Sequence, residues 1–119
     1  MVRFGLVLIV LLSVVPTFAF AKMQSEINHL LNYVKNTECQ YERNGTFHQG
    51  PEAAKHITKK YKYYEDDIES TEDFIKYSAT KSTMSGKHYK IHCAGAKPVK
   101  SKDWLLKELA AFRKNSKDN

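Results

Sequence analysis

The chain has two cysteines, Cys39 and Cys93, and each sits in a short segment that reads as a strand. Cys39-Gln40-Tyr41-Glu42-Arg43 is followed by Asn44-Gly45 and then by Thr46-Phe47-His48. An Asn-Gly pair tolerates the positive φ angles of a tight type I′ turn, so this segment is expected to form a β-hairpin with Cys39 and Tyr41 on one face. His88 to Cys93 alternates: Tyr89, Ile91 and Cys93 point one way, and His88, Lys90 and His92 the other. If this strand lies beside the hairpin, inward Cys93 meets inward Cys39, so the strand pairing and a disulfide support each other. Closing a loop of about 55 residues restricts the unfolded chain by roughly 4 kcal/mol in the entropic model, a large share of a small domain's net stability. A zinc site is the competing reading, but there is no CxxC pair and the histidines are scattered.

The N-terminus supplies the compartment in which such a bond persists. Arg3 is basic, Phe4 to Val15 is apolar, Pro16 follows, and Ala19-Phe20-Ala21 places small residues at the −3 and −1 positions of a cleavage site. That order is the order of a secretory signal peptide, residues 1–21, whose removal leaves Lys22 first. The apolar run is shorter than the roughly 20 residues a spanning helix needs, and no cysteine stands at the cleavage region to carry a lipid, so no stable membrane anchor is expected after cleavage. Residues 22–119 have the size of one domain, with a polar tail from about Lys114 that is expected to fray.

Helical periodicity fills much of the rest. Ile27, Leu30, Leu31 and Val34 give one buried stripe between Ser25 and about Asn36. Pro51 suits a helix start, after which Ala54, Ile57, Tyr61, Tyr64 and Ile68 fall at steps of three and four, leaving Lys55, Lys59, Lys60 and Lys62 outward. Ser70-Thr71-Glu72-Asp73 reads as a capping signal for a helix that carries Phe74, Ile75 and Ala79 inward. Ser82 to Gly86 is then a loop. Ser101 offers an N-cap for a last helix with Trp104, Leu105, Leu109 and Phe112 on its apolar side. The fold class is α+β: about four helices packed on a small antiparallel sheet made of the hairpin plus one further strand, with one disulfide.

The chain resembles the YfeK-like family of small exported bacterial proteins. The resemblance rests on Cys39 followed by Arg43-Asn44-Gly45, on Ala53-Ala54 with His56 and Lys60-Tyr61, and on Asp73-Phe74-Ile75. It continues through Ser82, Ser85-Gly86-Lys87, Tyr89 and Cys93 to Trp104-Leu105, and so covers essentially the whole region after the signal. It implies a periplasmic location in Gram-negative bacteria and brings no established activity.

Candidate chemistry is sparse. Ser78-Ala79-Thr80-Lys81 has the SxxK spacing of penicillin-recognising serine enzymes, but neither the KTG nor the SDN companion is present, and a polar helix end explains it. His88 and His92 share a strand face roughly 13 Å apart, too far to chelate one ion. His48 and His56 could form an acid–base pair only through a tertiary arrangement. Glu65-Asp66-Asp67-Glu69 lacks the ligand spacing and glycine of an EF-hand loop and reads as a solvated junction. Asn44-Gly45-Thr46 satisfies a glycosylation sequon, yet it reads first as the hairpin turn. No catalytic, cofactor or metal constellation is expected.

The formal charge is +6, or about +5 without Arg3, with lysines on the second helix and around Lys97, Lys100 and Lys102. That surface favours anionic partners; export and the absence of a nucleic-acid motif argue against nucleic acid. Ser85-Gly86-Lys87-His88-Tyr89 places a hydroxyl, a flexible glycine, a cation and an aromatic between a helix and a strand. It is similar to the SGxxY loop of bacterial periplasmic lysozyme inhibitors, in which that loop enters the enzyme's active site, although those inhibitors are β-rich. The expectation is a non-enzymatic periplasmic binding module whose partner is an envelope protein or an anionic wall polymer, met by Arg43, Ser85, Gly86, Lys87 and Tyr89. The alternatives are inhibition of a cell-wall hydrolase through that loop and a small hydrolase using Ser78 or a histidine pair.

Overall fold

The stripe that begins at Ile27 belongs to a longer helix, α1 (Thr17–Asn36), on which Ile27, Leu30 and Val34 are buried and Leu31 is partly buried. The computed structural model describes Gly5 and residues 17–117. Apart from Gly5, the basic start, apolar core and Pro16 of the expected signal lie outside the described residues. The expected cleavage position at Ala21 falls inside α1, on its exposed first turns.

The hairpin forms as expected. Strand β1 (Gln40–Arg43) pairs antiparallel with β2 (Thr46–His48) in the register Arg43↔Thr46. Asn44 and Gly45 both have positive φ, 51° and 79°, as a two-residue type I′ turn requires. The strand β3 (Lys90–His92) lies on the other side of β1, with Tyr41 opposite Ile91 and Gln40 opposite His92. One step further along, Cys39 and Cys93 face each other with Cα atoms 4.4 Å apart and are joined as a disulfide. A fourth strand, β4 (Val99–Lys100), follows Pro98 and pairs with β3, giving the order β2-β1-β3-β4 rather than the three strands expected.

Helix α2 (Gly50–Tyr64) starts with Pro51 in its first turn and buries Ala53, Ala54 and Ile57. It ends before Ile68, which reaches the core from an extended residue after a 3-10 turn at Glu65–Asp67. Gly50 fixes the approach of α2 to α1, since a Cβ there would lie 2.5 Å from the carbonyl oxygen of Val34 and 2.6 Å from that of Lys35. Helix α3 (Thr71–Ser78) is capped by Ser70, whose hydroxyl accepts from the Asp73 amide at 3.0 Å. Helix α4 (Ser101–Lys117) continues to Lys117, into the segment expected to fray from about Lys114, whose last two residues lie outside the described residues. That stretch keeps helical bonding to the preceding turn, and the Ser116 hydroxyl donates to the Phe112 carbonyl at 2.9 Å.

α1 packs against α2, α3 and α4, while α4 also meets β3 and β4. The core lies where the α1 stripe meets Phe74, Ile75, Leu105 and Leu109, and it continues onto the sheet through Tyr41, Tyr89 and Ile91. Two polar ties close it. Buried Tyr41 and Ser101 share a hydrogen bond between their hydroxyls, and Glu26 on α1 accepts from Thr71 at 2.6 Å and from Arg113 of α4 at 2.7 Å. Arg113 also reaches Glu72 at 2.8 Å, so one guanidinium joins α1, α3 and α4. This is an α+β fold of four helices and a four-stranded antiparallel sheet, and no helix among the described residues is long and apolar enough to cross a membrane.

Candidate functional site

The Asn44 side chain turns the hairpin into part of a site. Its amide donates to the Ser82 hydroxyl at 3.3 Å, and its carbonyl oxygen accepts from the Ser85 hydroxyl at 2.6 Å. The loop it holds is closed internally: the Ser82 amide donates to the Lys87 carbonyl at 2.9 Å, and the Gly86 amide to the Ser82 carbonyl at 3.0 Å. Gly86 sits at φ +73°, a conformation that side chains rarely adopt. The segment from Ser82 to Lys87 is therefore a pinned turn, from whose tip Met84 projects 99% exposed.

Between this turn and α2 lies an open groove of about 720 Å³, lined by Arg43 and Asn44 on the hairpin, by His56, Lys59, Lys60, Tyr63 and Tyr64 on α2, and by Ser82, Thr83, Met84 and Tyr89. No carboxylate is among the lining residues. Tyr89 forms the floor. It is 2% exposed, and its hydroxyl oxygen accepts from the Lys60 ammonium at 3.1 Å and lies 3.3 Å from His56 Nε2. Lys60 also donates to the Lys81 carbonyl at 2.7 Å and stands 5.1 Å from the centre of the Tyr89 ring. With Lys60 donating to the phenol oxygen, the phenol proton is free to point at His56 Nε2, an arrangement that a neutral imidazole accepts.

The electrostatics agree with that proton arrangement. Burial, then the cations Arg43, Lys60, His48 and Lys59, push the His56 imidazole down to about 4. Burial and Arg43 likewise lower Lys60 below the usual ammonium value. Burial raises the Tyr89 phenol, against the pull of Arg43. Arg43 itself is half-buried and has no ion-pair partner among the described residues. A second groove of about 710 Å³ shares Arg43, His56 and Lys59 but contains Glu52, which pairs with His48 at 3.0 Å. The first groove is thus a concave site lined by cations and aromatic side chains, a lining whose charge suits an anion better than a metal ion. Among the described residues, no group of three or more His, Cys, Asp or Glu stands close enough to share a metal.

One family model matches the chain over residues 21–113, a family of unknown function (DUF5329). The chain belongs to this family. No curated protein and no solved structure matches it. The family match covers every residue of the groove, from Arg43 to Tyr89.

Of the residues singled out in the sequence, Arg43 is in the groove wall, Ser85 braces the turn against Asn44, Gly86 supplies its positive φ, and Lys87 is exposed beside it. Tyr89 does not project from the loop; its ring lies inward against Tyr41 and His56, at centroid distances of 6.0 Å each. Lys60, expected outward, instead folds its stem over Tyr89 and is half-buried. His92 pairs with Glu42 at 2.7 Å. Ser78 is 0% exposed with an unpartnered hydroxyl, and Lys81 is exposed beyond the helix end, so the SxxK spacing makes no joint site. Sequence reasoning missed that His56 and Lys60 both reach the Tyr89 hydroxyl, although part of the signal was present: positions four apart on α2 share one helix face.

Proposed function

We propose that this protein is an exported, non-enzymatic binding domain of the bacterial envelope, and that it holds an anionic group of its partner in the groove between α2 and the Ser82–Lys87 turn. The observation that carries this reading is the meeting of unpaired Arg43 with Lys60 in a concave site without a carboxylate. Each cation keeps donor capacity that an oxyanion can use, and a charge-assisted hydrogen bond to a partly desolvated guanidinium is among the stronger polar contacts available. Export to the periplasm is supported by the basic-apolar-small order of residues 1–21 and by the disulfide, which persists in oxidising compartments. The start of the family match at residue 21 and the resemblance to YfeK-like proteins favour the same address. An envelope protein or an anionic wall polymer is the partner this site suits.

Inhibition of a cell-wall hydrolase is the second reading. It is favoured by exposed Met84, Ser85 and Lys87 at the tip of a pinned turn, next to cations that complement an acidic catalytic cleft. Affinity capture from an envelope extract tests both, with wild type beside Arg43→Gln and Ser85→Ala variants shown to be folded and disulfide-bonded. Loss of a specific component with Arg43→Gln is the expected result. Identical capture by all three baits overturns the groove as the site. Inhibition of purified lysozyme by wild type, lost with Ser85→Ala, selects the second reading.

A further inference from the structure

The groove is more selective than a cationic patch. Its volume of about 720 Å³ falls within the roughly 300–1,000 Å³ typical of small-molecule sites, and half-buried Arg43 and Lys60 line it beside buried Tyr89, together with exposed Lys59 and the side chains of Tyr63, Tyr64 and Met84. Tyr64 is fixed there by its hydroxyl at 3.1 Å from Thr83 Oγ1 and by stacking on Tyr77 at 5.6 Å. Tyr63 stands edge-on to Tyr64 at 4.8 Å and is 82% exposed, and Met84 faces the same opening from the turn, almost wholly exposed. Large apolar side chains left uncovered beside half-buried cations are complemented by an anion on an apolar body that covers them. An inorganic anion satisfies the cations and leaves those side chains wet, and a neutral aromatic covers them and leaves Arg43 unpaired.

We propose that the groove binds a small organic anion with a planar aromatic body, its carboxylate or phosphate against Arg43 and Lys60 and its ring among Tyr63, Tyr64 and Met84. This rests on the reading of the groove as an anion-binding site and names the ligand class. The ring gains offset or edge contacts with two tyrosines and a polarisable thioether, while the acid group takes donors from a fork and an ammonium. Nothing in the contact requires a covalent step.

The test is an NMR titration of the disulfide-bonded protein with phenyl phosphate, benzoate, inorganic phosphate and benzyl alcohol, following the Met84 methyl and the Tyr63 and Tyr64 ring signals. Phenyl phosphate or benzoate is expected to shift all three and to bind at least about tenfold more tightly than inorganic phosphate or benzyl alcohol. Arg43→Gln and Lys60→Met should each weaken the aromatic anions by about tenfold or more, and Met84→Ala and Tyr63→Ala should narrow the gap to inorganic phosphate. The last two side chains are exposed, so those variants fold. Equal affinity for phenyl and inorganic phosphate, or binding that leaves Met84 unmoved, overturns the proposal. If no probe binds while capture of an envelope partner still depends on Arg43, the aromatic-anion proposal fails and the binding-domain reading stands.

Discussion

Removing the disulfide is expected to cost about 4 kcal/mol, through the unfolded chain rather than through lost contacts. Cys39 and Cys93 stand opposite each other at the end of the β1–β3 pair, 54 residues apart in sequence and 4.4 Å apart at Cα. Closure of a loop that long removes roughly 14 cal/mol/K from the denatured ensemble, which is about 4 kcal/mol at room temperature. Both side chains are only partly buried, so a Cys39→Ala, Cys93→Ala variant forfeits little packing. For a domain of this size the loss corresponds to a fall in Tm of roughly 15–30 °C. Urea unfolding followed by the fluorescence of Trp104, which stacks on Tyr33 at 4.5 Å, reports it, and m should rise because the uncrosslinked chain exposes more surface. A loss below about 1 kcal/mol with unchanged m refutes the reasoning, since it means the unfolded chain already holds the two strand ends together.

Gly50→Ala should destabilise the protein by about 1–3 kcal/mol in the same urea assay, because the added methyl meets two α1 carbonyls rather than a movable side chain. Arg113→Met should cost about 2 kcal/mol at pH 7, less than a fully buried pair because the Arg113 side chain is 37% exposed. The Glu26 carboxyl is lowered from 4.5, first by its hydrogen bonds from Arg113, so its contribution is present above that pH and is lost as pH falls through the lowered value. Wild type should therefore lose stability below pH 4.5 more steeply than Arg113→Met, as read by Tm against pH. His56 acts in a second window. With its folded value near 4 and its ordinary value 6.5, the unfolded state binds the proton first, so stability should fall as pH drops from 6.5 to 4. The groups facing it are Arg43, Lys59, Lys60, His48 and Tyr89. His56→Gln should flatten that segment of the curve, and a wild-type Tm that is constant from pH 6.5 to 4 refutes the assignment.

Local rules made much of the fold legible. The Asn-Gly turn, the alternation ending at Cys93 and the Ser70 cap each state their geometry within a few residues, and the structure reproduces all three. The strand Val99–Lys100 was hidden because two residues after a proline carry no period; only the partner β3 makes them a strand. Ile68 fitted the periodicity of α2 yet lies beyond its end, since the stripe cannot show that a 3-10 turn intervenes. The groove was the least legible part. Lys60 looks like one of several outward lysines until Tyr89, 29 positions later, arrives beside it. A lysine bordering an apolar stripe can snorkel either way, and only the tertiary partner decides which.

The groove depends on the cross-link as much as on its own residues. Arg43 and Asn44 are the last residues of β1 and the first of its turn, and their position is set by the β1–β3 register that Cys39–Cys93 fastens at the opposite end of the strand. A slip of one residue would turn Tyr41 and Arg43 to the other face, taking Tyr41 from Ser101 and Arg43 from the groove together. Tyr89 directly precedes β3 and is held by other partners, its amide donating to the Thr80 carbonyl at 3.0 Å and its carbonyl accepting from the Ser101 amide at 2.9 Å. The hairpin and the turn at Ser82 are thus tied together, with Asn44 bonded to both Ser82 and Ser85 as the contact between them. Reduction of the disulfide in a chain that stays folded should for that reason weaken the proposed anion binding before it unfolds the helices, since α1, α3 and α4 are tied separately through Glu26, Glu72 and Arg113.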